Sequence, residues 1–403
     1  MSEIADFGLI VLFVSGIVSL ALLSNKVSER FPIPSPAIFL LAAAVTVHFW
    51  PSLGRKLSVL DVERLAVVAL IVILFDGGVR VGWQRFRVAA VPITVLGVFG
   101  TFTTAALVAV AGRYLFDFSW TGAGILGAAL APTDPAVMFS VLGKREVGGR
   151  TGTILEGESG VNDPVGIALM LGMIEFATHA DATFWVVVRE FALQMSIGLA
   201  IGVAGAWVVL QSIRRIELPN PALYPLRSLA AAGVIYGIAA VAHGSGFLAV
   251  FVAGILIGDA DYPRRRDVER FQTSLASLAE VVVFIALGLT VNKVNLEPVW
   301  KDAILIALVL AFLARPLGIA PFLAPLHLRR GERVFVMWSG LKGAVPILLA
   351  SFALLEHVAG AERIYGIVFV VVAFSVIVQG GTVPLAARRL GVPMRRLVHG
   401  GDP

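Results

Sequence analysis

Apolar stretches of roughly 17 to 25 residues, bounded by charged or Pro/Gly-rich turns, recur along the whole 403-residue chain. No other feature constrains the fold as tightly. A bilayer core offers the backbone no hydrogen-bond partner, so each stretch must satisfy its own N–H and C=O groups as a helix. The pattern predicts spans at about 8–25, 34–50, 64–79, 88–112, 120–142, 152–174, 190–211, 224–242, 245–258, 271–291, 303–322, 334–355 and 364–386. The expected fold class is an all-α polytopic membrane protein of about thirteen transmembrane helices. A composition of 58% hydrophobic and 15% charged residues excludes a soluble domain of this size.

The charges agree with the count. With the C-terminus in the cytoplasm and the N-terminus outside, roughly two-thirds of the 32 Lys and Arg residues fall on the inner side. A cell (inner or plasma) membrane location is expected. The net charge of +5 resides in these short loops and indicates no nucleic-acid partner. The absence of cysteine excludes disulfides, thiolate metal sites and cysteine nucleophiles. The first apolar run follows Glu3 and Asp6 without a basic leader, so it reads as a retained helix. Only about 17 residues follow the last span, leaving no expected soluble regulatory domain.

Thirteen spans divide into six, one and six: repeat one at about 8–174, a linker helix at about 190–211 and repeat two at about 224–386. An odd number of spans per repeat plus linker inverts the second half. The fifth span of each half is interrupted, by Pro132 and Pro135 in one and by Gly340, Gly343 and Pro346 in the other. Interrupted helices at matching positions in two halves point to a transporter's binding site.

Acids lie where apolar helices should have none. Asp134 sits in Pro132-Thr133-Asp134-Pro135, and Glu156, Glu158 and Asp163 sit in Glu156-Gly157-Glu158-Ser159-Gly160-Val161-Asn162-Asp163-Pro164. Each costs about 3 kcal/mol to insert and persists where it binds ions or relays protons. Pro132 and Pro135 free the carbonyls of Ala128 and Ala131, and unwound backbone beside a carboxylate suits a hard cation. Either Asp-Pro pair also reads as a simple helix cap; an ionised cap in mid-membrane is costly, which favours the ligand reading. Ser159 and Asp163 share one helix face, Glu158 and Asn162 the adjacent one. Two carboxylates together away from water favour holding a proton or a cation between them.

Arg315 is deep in the eleventh span and requires an acid, for which Glu158 is the choice, unless it snorkels from a helix end. Lys342, in the second broken helix, either offsets carboxylate charge or snorkels. Asp76 and Arg80 are four apart, a spacing that suits a local pair; otherwise Asp76, like Glu156, lines an aqueous funnel. Glu280 opens a long apolar run and reads as structural or gating.

At these residues the chain resembles the monovalent cation/proton antiporters of the NhaP and eukaryotic Na+/H+ exchanger group, including bacterial K+/H+ antiporters. The matching stretches are Leu74-Phe75-Asp76-Gly77-Gly78, Pro132 to Ala136, Glu156 to Pro164, Arg315-Pro316-Leu317 and Gly340-Leu341-Lys342-Gly343-Ala344-Val345-Pro346. The resemblance implies a homodimer in which a core with crossed broken helices moves against a dimerisation bundle. It implies exchange of Na+ or K+ for H+ by alternating access, with no enzymatic step and no cofactor. Asp163 would carry cation and proton, with Thr133, Asp134 and Ser159 as further ligands. Asn162 would stand beside them, held by the Glu158–Arg315 pair, and marks electroneutral 1:1 exchange. Lys342 departs from the arginine usual in Gly-Leu-Arg-Gly. The rivals are a proton-coupled or gated cation channel, which needs an open filter, and an intramembrane aspartyl protease, whose Tyr-Asp and Gly-x-Gly-Asp pattern is missing.

Overall fold

The computed structural model describes residues 34–49, 58–142, 145–179, 183–291 and 296–396, with Gly8, Leu12, Ser15, Gly16 and Ser19. Apart from those five, the expected first span at 8–25 lies outside the described residues. The chain runs through α1 (Ser35–Phe49), α2 (Val59–Val95), α3 (Thr101–Leu115), α4 (Trp120–Leu130), α5 (Pro135–Leu142), α6 (Gly149–Thr178), α7 (Phe184–Arg215), α8 (Leu223–Val241) and α9 (Gly246–Gly258). It continues with α10 (Arg265–Leu289), α11 (Trp300–Val309), α12 (Arg315–Leu323), α13 (Arg330–Trp338), α14 (Ala344–Leu355), α15 (Ala361–Phe374) and α16 (Gly380–Arg389). Five-residue π turns join α2 to α3 (Leu96–Gly100), α11 to α12 (Leu310–Ala314) and α15 to α16 (Ser375–Gln379).

Among the described residues, seven helical stretches are long and apolar enough to cross a membrane, and α1, α4, α9 and α14 are shorter apolar helices. The protein is an integral, multi-pass, helical membrane protein. One exception to the all-helical expectation is an antiparallel ladder of β1 (Arg145–Val147) and β2 (Met394–Arg396), with Glu146 opposite Arg395.

No loop separates the segments expected at 64–79 and 88–112. The chain stays helical from Val59 through Leu115 and bends at Gly82, where φ is 64° and ψ 159°. Glycine alone takes that conformation at little cost. Asp259, just past α9, accepts the Gln84 N–H at 2.6 Å and caps the helix that restarts there. One glycine and a borrowed carboxylate thus replace a turn.

The helices differ sharply in burial. In α6 78% of the apolar window is buried, against 22% in α7 and 28% in α8. α6 is therefore enclosed by α2, α4 and α7, while α7 and α8 present apolar faces outward. α9 packs closely against α2, where a Cβ on Gly254 would fall 2.6 Å from the Phe75 carbonyl oxygen. Small residues permit such backbone approach where lipid supplies no hydrophobic drive between helices.

Candidate functional site

The two interrupted helices meet at their breaks. α4 ends at Leu130 and α5 resumes at Pro135; α13 ends at Trp338 and α14 resumes at Ala344. The Asp134 N–H donates to the Leu341 carbonyl at 2.8 Å, joining the two unwound segments through backbone. Gly343 lies directly against Asp134: a Cβ there would come within 1.9 Å of Oδ2. The Asp134 carboxylate thus rests at the N-terminal end of α14, whose unpaired N–H groups and dipole favour negative charge.

Lys342 does not snorkel. It is 1% exposed, and its ammonium donates to the carbonyls of Ala131 at 3.0 Å and Pro132 at 2.9 Å. The first of these is the carbonyl that Pro135 leaves without a helical partner. The Lys342 N–H donates to Ser375 Oγ at 2.9 Å. Ser375 in turn donates to Gln379 Oε1 at 3.0 Å, and Gln379 Nε2 donates to the Trp338 carbonyl at 2.6 Å. The π turn at 375–379 therefore holds the second break from behind, a common placement for π turns at functional sites.

α6 passes beside this crossing. Asn162 is fully buried and clamps Thr133 from two sides: its Oδ1 accepts the Thr133 N–H at 3.3 Å and its Nδ2 donates to Thr133 Oγ1 at 2.7 Å. Thr133 Oγ1 and Ser159 Oγ lie 3.3 Å apart. Asp163, one turn beyond Ser159, is 7% exposed, and its Oδ1 has no hydrogen-bond partner among the described residues. The charged groups acting on it are Asp134 and Lys342. The structure thus brings Thr133, Asp134, Ser159, Asn162, Asp163 and Lys342 together around one buried point.

Behind this cluster, Arg315 and Glu158 pair at 2% and 1% exposure, with Nη1–Oε1 at 2.8 Å and Nη2 donating to Oε2 at 3.0 Å. The π turn at 310–314 immediately precedes Arg315. Thr133, Ser159, Glu158, Arg315 and Ser339 together line the narrow gap between the pair and the crossing. Glu158 and Asn162 share a helix face yet serve different neighbours, α12 and the first break.

Asp76 and Glu156 stand apart from the crossing. Asp76 pairs with Arg80 at 2.7 Å and accepts from Thr273 at 3.2 Å; Glu156 pairs with Arg85 at 3.0 Å. Reasoning from sequence named the freed Ala131 carbonyl but missed that Lys342 holds it together with the Pro132 carbonyl, and missed the Asp134–Leu341 backbone bond and the Ser375–Gln379 relay. Proline four residues downstream was the available signal for the freed Ala131 carbonyl; the other two bonds have none.

Residues 15–389 match the family described as sodium/hydrogen exchanger, transmembrane. The chain belongs to this exchanger family. Among its relatives is the K(+)/H(+) antiporter NhaP of Alkalimonas amylolytica, 35% identical over 330 residues, covering 81% of this chain and 57% of the relative. The K(+)/H(+) antiporter NhaP2 of Shewanella sp. (strain ANA-3) is 30% identical, covering 92% of this chain and 65% of the relative. The chain therefore spans rather less than two-thirds of the length of these two relatives. The exchanger fold itself is shared with the sodium proton antiporter MjNhaP1 of Methanocaldococcus jannaschii. The TM-score is 0.79 at 21% identity, with 94% of this chain and 100% of that one covered.

Proposed function

We propose that this exchanger-family chain is a secondary antiporter that exchanges a monovalent cation, Na+ or K+, for H+ by alternating access. The observation that carries the reading is the Asp163 carboxylate, buried at the crossing of two broken helices with Oδ1 unpartnered among the described residues. A negative group in that position needs a cation or a proton. The cation binds Asp163 with Asp134, Ser159 Oγ and Thr133, and displaces a proton; on the other face a proton replaces the cation. An empty site would bury uncompensated carboxylates, so it crosses poorly and the two fluxes stay coupled. Asn162 carries no ionisable proton, which favours electroneutral 1:1 exchange.

The proposed architecture is thirteen spans in two inverted six-helix repeats, about 8–174 and 224–386, around a linker helix at about 190–211. Matching irregularities support it. The second span of each half is short, 15 residues in α1 and 13 in α9. The fourth carries a π turn in each half, Leu96–Gly100 and Leu310–Ala314, and the fifth is broken in each. The β1–β2 ladder supports the topology, because it sets the connection before α6 and the segment after α16 on one side of the membrane. That side is the cytoplasm in our reading, with the N-terminus outside and the protein in the cell membrane. The outward apolar faces of α7 and α8 suit a homodimer scaffold against which the core rocks.

The test is exchange by the purified chain in proteoliposomes under an imposed cation gradient, with internal pH read by a dye. Saturable alkalinisation or acidification that depends on Na+ or K+ supports the reading, and titrating each cation ranks them. Cation flux without proton movement would indicate a channel and overturn it.

A further inference from the structure

α10 carries a polar stripe that the site above leaves unused. Thr273, Ser277 and Glu280 stand at i, i+4 and i+7 and so share one face over about two turns, roughly 10 Å of axis. At the outer end of the stripe, Thr273 Oγ1 donates to Asp76 Oδ1 at 3.2 Å, and Asp76 in turn holds Arg80 at 2.7 Å. Ser277 Oγ donates to the Thr273 carbonyl at 2.9 Å, and both residues are exposed although they lie on an apolar span. At the inner end is Glu280, half-buried, whose Oε1 is buried and has no hydrogen-bond partner among the described residues. The charged groups that act on it are Asp134, at the first break, and Arg80 on α2. α10 packs on α2 on one side and reaches α14, the second broken helix, on the other.

Asp76 occupies Arg80, so Glu280 is not neutralised by a bonded cation of its own. A carboxylate kept without a structural partner inside a span points to function. The order along the stripe is an ion pair at the rim, two hydroxyls, a lone carboxylate, and then Asp134. We infer that Glu280 captures the cation in an intermediate station on the cytoplasmic side of the site and passes it to Asp134 and Asp163. The inference rests on the exchange reading above and adds an entry path to it. The incoming ion meets Asp76 already balanced by Arg80, exchanges part of its hydration for the Thr273 and Ser277 hydroxyls, and meets unbalanced negative charge first at Glu280. A carboxylate in a low-dielectric vestibule concentrates cations locally and speeds entry without touching the exchange step.

The test uses the full chain in membranes of known orientation. Glu280→Gln removes the charge and keeps the shape. It should raise the apparent cation KM from the cytoplasmic face by about tenfold, leave the maximal rate within about twofold, and leave the KM from the opposite face nearly unchanged. Glu280→Asp should recover most of the lost affinity. An unchanged KM, an equal rise from both faces, or a fall in maximal rate shared by the Gln and Asp variants would overturn the proposal. Because the chain has no cysteine, Ser277→Cys gives an independent reading that does not depend on the Glu280 variants folding. A membrane-impermeant thiol reagent should label it from the cytoplasmic face, more slowly when the transported cation is present. Absence of labelling, or labelling indifferent to the cation, would contradict the path. If the unmodified chain shows no exchange at all, the exchange reading fails and not this one alone.

Discussion

At the scale of single residues, the crossing depends on groups whose partners are backbone. Lys342 satisfies two carbonyls that the broken helix cannot, and it places a positive charge among carboxylates. Lys342→Met keeps the volume and strands both oxygens; hydrogen bonds to a charged group contribute about 1.5–3 kcal/mol each. The expected outcome is a clearly lower melting temperature in detergent and loss of exchange, read by thermal unfolding and the proteoliposome assay. A Lys342→Met variant of unchanged stability would mean that the two bonds contribute nothing. Asn162→Ala deletes both bonds to Thr133, leaving the Thr133 N–H without its buried acceptor. That variant should lose about 1–3 kcal/mol of stability and bind the transported cation more weakly, because Thr133 is no longer held. Normal cation affinity in Asn162→Ala would show that Thr133 needs no clamp.

At the scale of elements, the Glu158–Arg315 pair ties α6 to α12. Removing one partner of a fully buried pair costs about 3–5 kcal/mol because the survivor is left charged and alone. Glu158→Ala and Arg315→Ala should each lower expression and thermal stability, and the charge-swapped double variant Glu158→Arg with Arg315→Glu should recover part of the loss. Two harmless single variants would refute the pairing as a structural tie. The contact between Gly343 and Asp134 leads to a different outcome. Gly343→Ala forces a methyl group into the Asp134 carboxylate, so it should displace Asp134 and abolish exchange while the helices still form. This is read as retained helicity by circular dichroism with no cation-dependent pH change. An active Gly343→Ala would show that the close approach is not needed for transport.

At the scale of the whole molecule, most helices could be placed from sequence because charged or Pro/Gly-rich residues punctuate the apolar runs. The breaks at 132–134 and 340–343 were legible for the same reason. Arg315 with Glu158 was legible because a guanidinium in mid-span has few places to find an acid. Other features left no such trace. The bend at Gly82 depends on Asp259, a carboxylate 175 residues away in sequence that caps a helix end. The β1–β2 ladder pairs Arg145–Val147 with Met394–Arg396, neither of which shows a strand pattern. The bond from Asp134 to Leu341 is backbone to backbone, and no side-chain identity announces it. The general rule is that breaks can be read from their own residues, whereas what fills a break comes from distant chain.

The central claim is that Asp163 is the main carrier, holding cation and proton in turn. Asp163→Asn in proteoliposomes under an imposed cation gradient tests it most directly, since the amide keeps the shape and removes the exchangeable proton. The account predicts a folded protein, of thermal stability equal to or above that of the natural chain, with no cation-dependent change in internal pH. Exchange at the natural rate by Asp163→Asn would contradict it.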